Sequence, residues 1–285
     1  MNLDHIEHPL VIYHDRCGDG WAAAFLATRR WSDAELRPAN HGDEPPYEDA
    51  KNRNVLVLDF SFSRERLEKL RAVAKTLLVL DHHASAQRDL DGLDYCVFDM
   101  NRSGAGLVLD FFFPGHRDPR RIGRLPWADA ALYAEDRDLW SWKKTASRQV
   151  NTFLEVTPRT VEAWETLPSI VSMQEQGEAM LAYQKHLVDD IAARAYPLVL
   201  VEGEVLAVNT PVLQSEVGNA LALRAPAPLR TALVWSRAED GKFRCSFRSV
   251  DGGADVSYMA KTRGGGGHKH AAGYTQDGPP TPVAR

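Results

Sequence analysis

The sequence predicts an α/β protein: an N-terminal domain on a parallel sheet, joined by a long helix to a smaller α/β C-terminal domain, with the active site expected in the cleft between them. Three observations carry the prediction. The first half alternates short β-rich runs with helical patterns, the mark of βαβ units. After Pro197 the chain turns β-rich again. Its 285 residues exceed one ordinary domain and fall short of three. The expected boundaries are 1–158 for the first domain, 159–196 for the helical linker and 197–285 for the second.

Taken in order, Leu10 to Tyr13 (LVIY) reads as a strand, and Trp21 to Arg30 as a helix ending in bases, as the helix dipole prefers. Asn54 to Leu58 (NVLVL) is a second strand, followed by a helix from about Ser63, with the serine as its cap. Leu77 to Leu80 (LLVL) is a third strand, and Tyr95 to Phe98 a fourth before a glycine-rich helix start, Ser103 to Gly106. Such short apolar runs suit strands buried on both faces. His41 to Asn54 is polar, contains Pro45 and Pro46, and reads as a surface loop. Val161 to about Ala195 reads as the long linking helix. In the second domain LVLVEGEVLAVN, TALVWS and KFRCSFRS read as strands, with a helix near Ser215 to Leu223 and a mobile tail from Gln276.

Composition narrows the function. With 34 basic and 39 acidic residues the net charge is −5, which offers no basic track for a long duplex. Two divalent cations would nearly cancel that charge, so small anionic substrates stay allowed. No stretch has the roughly 20 apolar residues that span a bilayer, and MNLDHIEHPL lacks the pattern of a leader. Cys17, Cys96 and Cys245 are odd in number, far apart and form no C-x-x-C pair, so neither a disulfide framework nor a thiolate zinc site is indicated. The cytoplasm is the expected compartment, with a homodimer left open.

Three acidic clusters follow predicted strands, at the carboxyl ends where open α/β sheets bind ligands. They are His14-Asp15-Arg16-Cys17-Gly18-Asp19-Gly20 after LVIY, Asp59 after LVL, and Asp81-His82-His83 after LLVL. A single Asp after a strand is usually a cap or turn former. Three at three strand ends point instead to a metal centre, and carboxylates mixed with imidazoles suit Mn²⁺, Mg²⁺, Fe²⁺ or Zn²⁺.

The triplet Asp81-His82-His83 after an apolar strand resembles the signature of the DHH phosphoesterases. Gly265-Gly266-Gly267-His268-Lys269-His270-Ala271-Ala272-Gly273 resembles the GGGH-x-x-AAG motif of the DHH-associated C-terminal domain. His14 to Gly20, Asp59 and Glu135-Asp136-Arg137-Asp138 match the family's first, second and fourth motifs, so the resemblance covers nearly the whole chain. Members include RecJ-type exonucleases, nanoRNases, phosphatases of 3′-phosphorylated adenosine nucleotides and cyclic-dinucleotide phosphodiesterases.

The resemblance implies metal-dependent phosphoester hydrolysis, with two ions, usually Mn²⁺, while Mg²⁺, Co²⁺, Zn²⁺ and Fe²⁺ stay open. By motif position Asp59 bridges, His14 and Asp15 face one ion, and Asp19, His82 and Asp136 the other, with Asp138 the alternative to Asp136. Asp59, Asp81, His82 and His83 form the implied catalytic set, His83 near the substrate phosphate or holding a ligand in place. Cys17 stands where the family has an Asp. It either ligates a softer ion or packs as a small buried hydrophobe.

The second domain is expected to read the substrate through Arg248 and Ser249 at the end of CSFRS and through Gly265, Gly266, Gly267 and His268. Consecutive glycines offer backbone N–H groups to an anion, and Arg pairs with phosphate. Trp140 and Trp142, beside the fourth motif, either stack a base or pack in the core. The implied substrate is a short single-stranded oligonucleotide or small nucleotide. A nucleotide-binding sensor with weakened catalysis and a pyrophosphate or polyphosphate hydrolase are the alternatives.

Overall fold

The computed structural model describes residues 6–40, 42–113, 115 and 126–282. The first five residues and the last three of the tail lie outside that range. The chain divides into two compact units, Met1–Leu181 and Ala182–Arg285.

The first unit carries a five-stranded, wholly parallel sheet in the order β2-β1-β3-β4-β5. Its strands are β1 (Leu10–His14), β2 (Glu35–Ala39), β3 (Asn54–Leu58), β4 (Thr76–Asp81) and β5 (Cys96–Phe98). The crossovers are α1 (Gly18–Arg30), the single-turn α2 (Tyr47–Ala50), α3 (Arg64–Val73) and α4 (Ala84–Asp89), and α5 (Gly104–Phe112), α6 (Pro126–Asp138) and α7 (Ser147–Val156) follow. Alternation along β3 and β4 feeds two cores. Leu56, Leu58, Leu78 and Leu80 pack with α1, α5 and α6 on one face. Val55, Val57, Leu77 and Val79 pack with Leu67 and Leu70 of α3 on the other. Burial on both faces explains why these strands read as continuous apolar runs.

The sequence reading missed β2, whose ELRPA contains Pro38. A proline is tolerated there because β2 is an edge strand. It also missed α2 inside the expected surface loop, and α7. Ser103 caps α5 by accepting from Gly106 N, whereas Ser63 precedes α3 without a side-chain cap bond. The expected linking helix is two helices, α8 (Val161–Glu165) and α9 (Ile170–Ala192), broken where Pro168 excludes helical conformation from the residue before it. The division between units falls within α9.

The second unit holds a six-stranded mixed sheet in the order β10-β11-β9-β8-β7-β6. The strands are β6 (Tyr196–Leu200), β7 (Gly203–Asn209), β8 (Thr231–Arg237), β9 (Phe243–Ser249), β10 (Gly266–His268) and β11 (Ala271–Gln276). Only β7 and β8 run parallel, joined through α10 (Gln214–Arg224). Helix α11 (Val256–Lys261) closes the core of Val205, Leu233, Phe247 and Met259. No described helix is long and apolar enough to cross a membrane.

Candidate metal centre

Strand order places the site. The order reverses direction between β1 and β3, and the crevice outside the carboxyl ends at such a switch is where an open parallel sheet binds ligands. His14 ends β1, Asp59 follows β3, and Asp81 ends β4 directly before His82 and His83. Asp59 adopts a left-handed backbone, φ 64°, which turns the chain sharply as it leaves the strand. Its side chain is 1% exposed.

Two groups of ligand atoms form around it, each with all its atoms within 4.8 Å of one another: His14, Cys17 and Asp59, and Asp19, Asp59 and His82. Asp59 belongs to both. Its Oδ1 lies 3.2 Å from His82 Nε2, and its Oδ2 lies 3.5 Å from His14 Nδ1 without accepting a hydrogen bond. Asp19, in the first turn of α1, accepts from Ser103 Oγ at 2.6 Å and from the Ala105 backbone N–H at 3.2 Å, so the start of α5 fixes it. Two glycines permit this density. A Cβ on Gly104 would sit 2.4 Å from Asp59 Cβ, and one on Gly20 would sit 2.4 Å from the His14 carbonyl oxygen.

Asp81 is fully buried. Its Oδ1 accepts from the backbone N–H groups of His82 (2.7 Å) and His83 (3.2 Å) and lies 2.6 Å from His83 Nδ1. It therefore fixes the pair of histidines from behind, as a carboxylate orients a functional imidazole.

Of the two fourth-motif carboxylates, the structure turns Asp138 toward the cluster and Asp136 away from it. Asp138 Oδ2 lies 3.4 Å from His82 Nε2. Asp136 accepts from Ser141 Oγ (2.6 Å), Lys143 N (2.9 Å) and Lys144 N (3.2 Å), locking the turn after α6. Motif spacing could not separate residues two apart on one helix end. The signal lay in the turn after the helix, whose backbone N–H groups need an acceptor. Asp15 also stays out of both groups, partly exposed with Oδ2 3.6 Å from Arg16 Nε. Trp140 and Trp142 both take left-handed backbone and meet edge to face at 5.0 Å, with Arg148 stacked on Trp142.

Electrostatics mark the cluster as short of positive charge. Burial, followed by the charges of Asp59 and Asp138, raises the Asp19 carboxyl well above its usual range. Burial and the same carboxylates raise the Cys17 thiol. Asp138 is raised as well, chiefly by desolvation, with His82 opposing. Burial would lower His82, but the hydrogen bond to Asp59 and the charges of Asp138, Asp59 and Asp19 outweigh it and push it up to about 10. For Asp59 burial is overcome by its two imidazole neighbours, and its carboxyl falls well below the usual range. The cluster thus gathers three carboxylates, Asp19, Asp59 and Asp138, beside the imidazoles of His14 and His82, and mixed carboxylate and imidazole donors fit divalent cations.

In the second unit, Arg248 donates to Ser215 Oγ (2.9 Å), Ser246 Oγ (3.1 Å) and the Phe247 carbonyl (2.8 Å). Its stem covers Gly218 of α10, where a Cβ would meet Arg248 Cγ at 2.6 Å. Ser249 is buried, donates to the Ala254 carbonyl and lies 3.0 Å from His270 Nδ1. Gly266, Gly267 and His268 form β10, the sheet-edge strand, in register with Gly273, Ala272 and Ala271 of β11. Gly265 and Gly267 are required by close strand packing: added Cβ atoms would lie 2.0 Å from the Gly273 carbonyl oxygen and 2.5 Å from that of Ala271. Gly266 and Gly267 thus lie in a hairpin arm at the sheet edge.

No family model matches the chain. An uncharacterized protein, R106, of Acanthamoeba polyphaga mimivirus is 29% identical over 98% of this chain and 69% of its own length. Among solved structures, RecJ from Thermus thermophilus in complex with Mn²⁺ superposes with a TM-score of 0.54 at 16% identity, over 94% of this chain and 49% of that one. This chain therefore spans about half of that RecJ. An exopolyphosphatase-related protein from Bacteroides fragilis superposes with a TM-score of 0.50 at 12% identity, over 96% of this chain and 88% of its own. With this likeness over nearly the whole chain, and with Asp81-His82-His83 closing a parallel strand beside Asp59, the protein has the fold of the DHH phosphoesterases that its motifs resemble.

Proposed function

We propose that the protein is a metal-dependent phosphoesterase that hydrolyses short oligonucleotides or small nucleotides. The observation that carries this reading is the shared carboxylate: two ligand groups meet at Asp59, the arrangement a two-ion phosphoester hydrolase requires. When bound, a pair of divalent ions activates water and neutralises charge on the phosphoryl oxygens.

The chain's own residues supply the rest. Asp59 would be shared by the two positions, His14 would help to hold one ion, and Asp19, His82 and Asp138 would hold the other. His83, with Nδ1 held by Asp81, is the candidate to give a proton to the leaving oxygen through its other ring nitrogen. Arg248 and His268 are assigned to the substrate's charge, as the motif resemblance implies. Short substrates are favoured over long nucleic acid by the net charge of −5. Three free cysteines suit a reducing compartment, and the cytoplasm is the proposed one.

The test is turnover of di- to pentaribonucleotides, cyclic dinucleotides and 3′-phosphoadenosine 5′-phosphate with Mn²⁺, Co²⁺ and Zn²⁺. Hydrolysis of at least one class is expected. Tight nucleotide binding with no turnover under any of these ions makes the protein a sensor, and turnover of pyrophosphate or polyphosphate alone makes it a polyphosphate hydrolase. Either result overturns the proposal.

A further inference from the structure

We propose that Cys17 is itself a metal ligand, making the position shared by His14, Cys17 and Asp59 a thiolate, imidazole and carboxylate site that selects Zn²⁺, Co²⁺ or Fe²⁺ over Mn²⁺ and Mg²⁺. The inference rests on the metal-dependent reading above for its location, and on no substrate.

The three cysteines differ in surroundings. Cys96 packs against the apolar cluster behind the first sheet, and Cys245 lies within the core of the second unit. Cys17 belongs to no apolar cluster of either unit among the described residues, and its neighbours are the carboxylates Asp59, Asp138 and Asp19. Packing as a small hydrophobe does not account for that placement. Ligation does, because Sγ, a His14 ring nitrogen and an Asp59 oxygen lie within 4.8 Å of one another. A second observation points to the same ligand. Asp59 Oδ2 is buried, accepts no hydrogen bond and lies on the His14 side of the carboxylate. The His14 ring nitrogen at 3.5 Å is a longer partner than a hydrogen bond, and a cation at this position would supply a closer one.

Position favours the thiolate once a cation is present. Cys17 is the N-cap residue of the 13-residue α1. Helix N-termini stabilise thiolates. Binding is balanced as Cys17–SH plus M²⁺ giving Cys17–S⁻ bound to M²⁺ plus one proton, the proton passing to solvent. Thiolate selects softer ions than an all-oxygen and imidazole set, which sets the stated preference.

The experiment uses the full chain, stripped of metal and handled without oxygen. Titration with Co²⁺ is expected to produce the near-ultraviolet thiolate-to-cobalt charge-transfer band, retained by Cys96→Ser and Cys245→Ser and lost by Cys17→Ser with an unchanged far-ultraviolet circular dichroism spectrum. Cys17→Asp is expected to move the ratio of Zn²⁺ to Mn²⁺ affinity at least about tenfold toward Mn²⁺, about 1.4 kcal/mol. A measurement without substitution guards against a variant that does not fold: on the unaltered chain, Zn²⁺ is expected to protect Cys17 from iodoacetamide while alkylation of Cys96 continues. No charge-transfer band, a band that survives in Cys17→Ser, or equal alkylation of Cys17 with and without Zn²⁺ overturns the proposal. None of these readouts requires turnover. A protein that gives the band and hydrolyses nothing would sink the proposed activity and leave the ligand assignment standing.

Discussion

The two sheets treat buried polar groups in opposite ways. In the second unit Arg248, Ser249 and their neighbours satisfy one another within hydrogen-bond distance. In the first, the carboxylates of Asp19, Asp59 and Asp138 crowd the imidazoles of His14 and His82, beside the thiol of Cys17. A satisfied network holds a shape; an unbalanced one is a demand for cations. The contrast is one of charge balance, and it can be tested at several points.

The largest effect is expected at the shared carboxylate. Asp59→Ala should keep less than a hundredth of wild-type kcat, a loss above about 2.7 kcal/mol, with an unchanged circular dichroism spectrum. More activity than that would remove Asp59 from the bridging role. The next comparison is internal to the end of α6. Asp138→Asn should weaken metal binding, read by calorimetry, at little cost in melting temperature. Asp136→Ala should do the reverse, losing about 1–3 kcal/mol because Ser141 and the N–H groups of Lys143 and Lys144 lose their acceptor. Interchanged outcomes would restore Asp136 as the ligand.

A third expectation concerns pH. The folded-state pKa of His82 is raised from 6.5 to about 10, so in the metal-stripped protein its stabilisation is complete below pH 6.5 and fades as pH rises through 10. The melting temperature of stripped protein should fall across that window, and saturating Zn²⁺ should flatten the fall by replacing the proton. A stripped protein with no such slope would mean that His82 is neutral when folded. The smallest effect is expected in the second unit, where His268→Ala should raise KM several-fold while metal content stays near wild type. Loss of metal in that variant would break the contrast between the units.

Much of this was legible in the sequence because burial writes simple patterns. Val55 to Leu58 and Leu77 to Leu80 are apolar throughout since both faces of β3 and β4 are covered, and the residues that follow these runs, Asp59 and Asp81-His82, are the ones at the site. What the sequence hid was direction. Asp136 and Asp138 are indistinguishable until the turn beyond them supplies N–H donors to one and not the other. Ser103 and Gly104 read as an ordinary helix start, because their role depends on Asp19, 84 residues from Ser103 in the chain, arriving against the same turn. The glycines at 265 to 267 resembled an anion loop, and only the pairing with β11 shows the backbone contact that requires them.

The closeness of Gly104 to Asp59 and of Gly20 to His14 has a consequence for how such a centre can change over time. The backbone around the cluster is a mould with walls of fixed thickness: even one added methyl would push a wall into a donor. The donors themselves are replaceable, since a side chain that reaches the same point fits the same mould. Variation in this protein is therefore channelled into which element the centre prefers, and away from where it lies. Gly18, with nothing within 4 Å of the space a Cβ would take, is the neighbouring position where the wall is free to thicken.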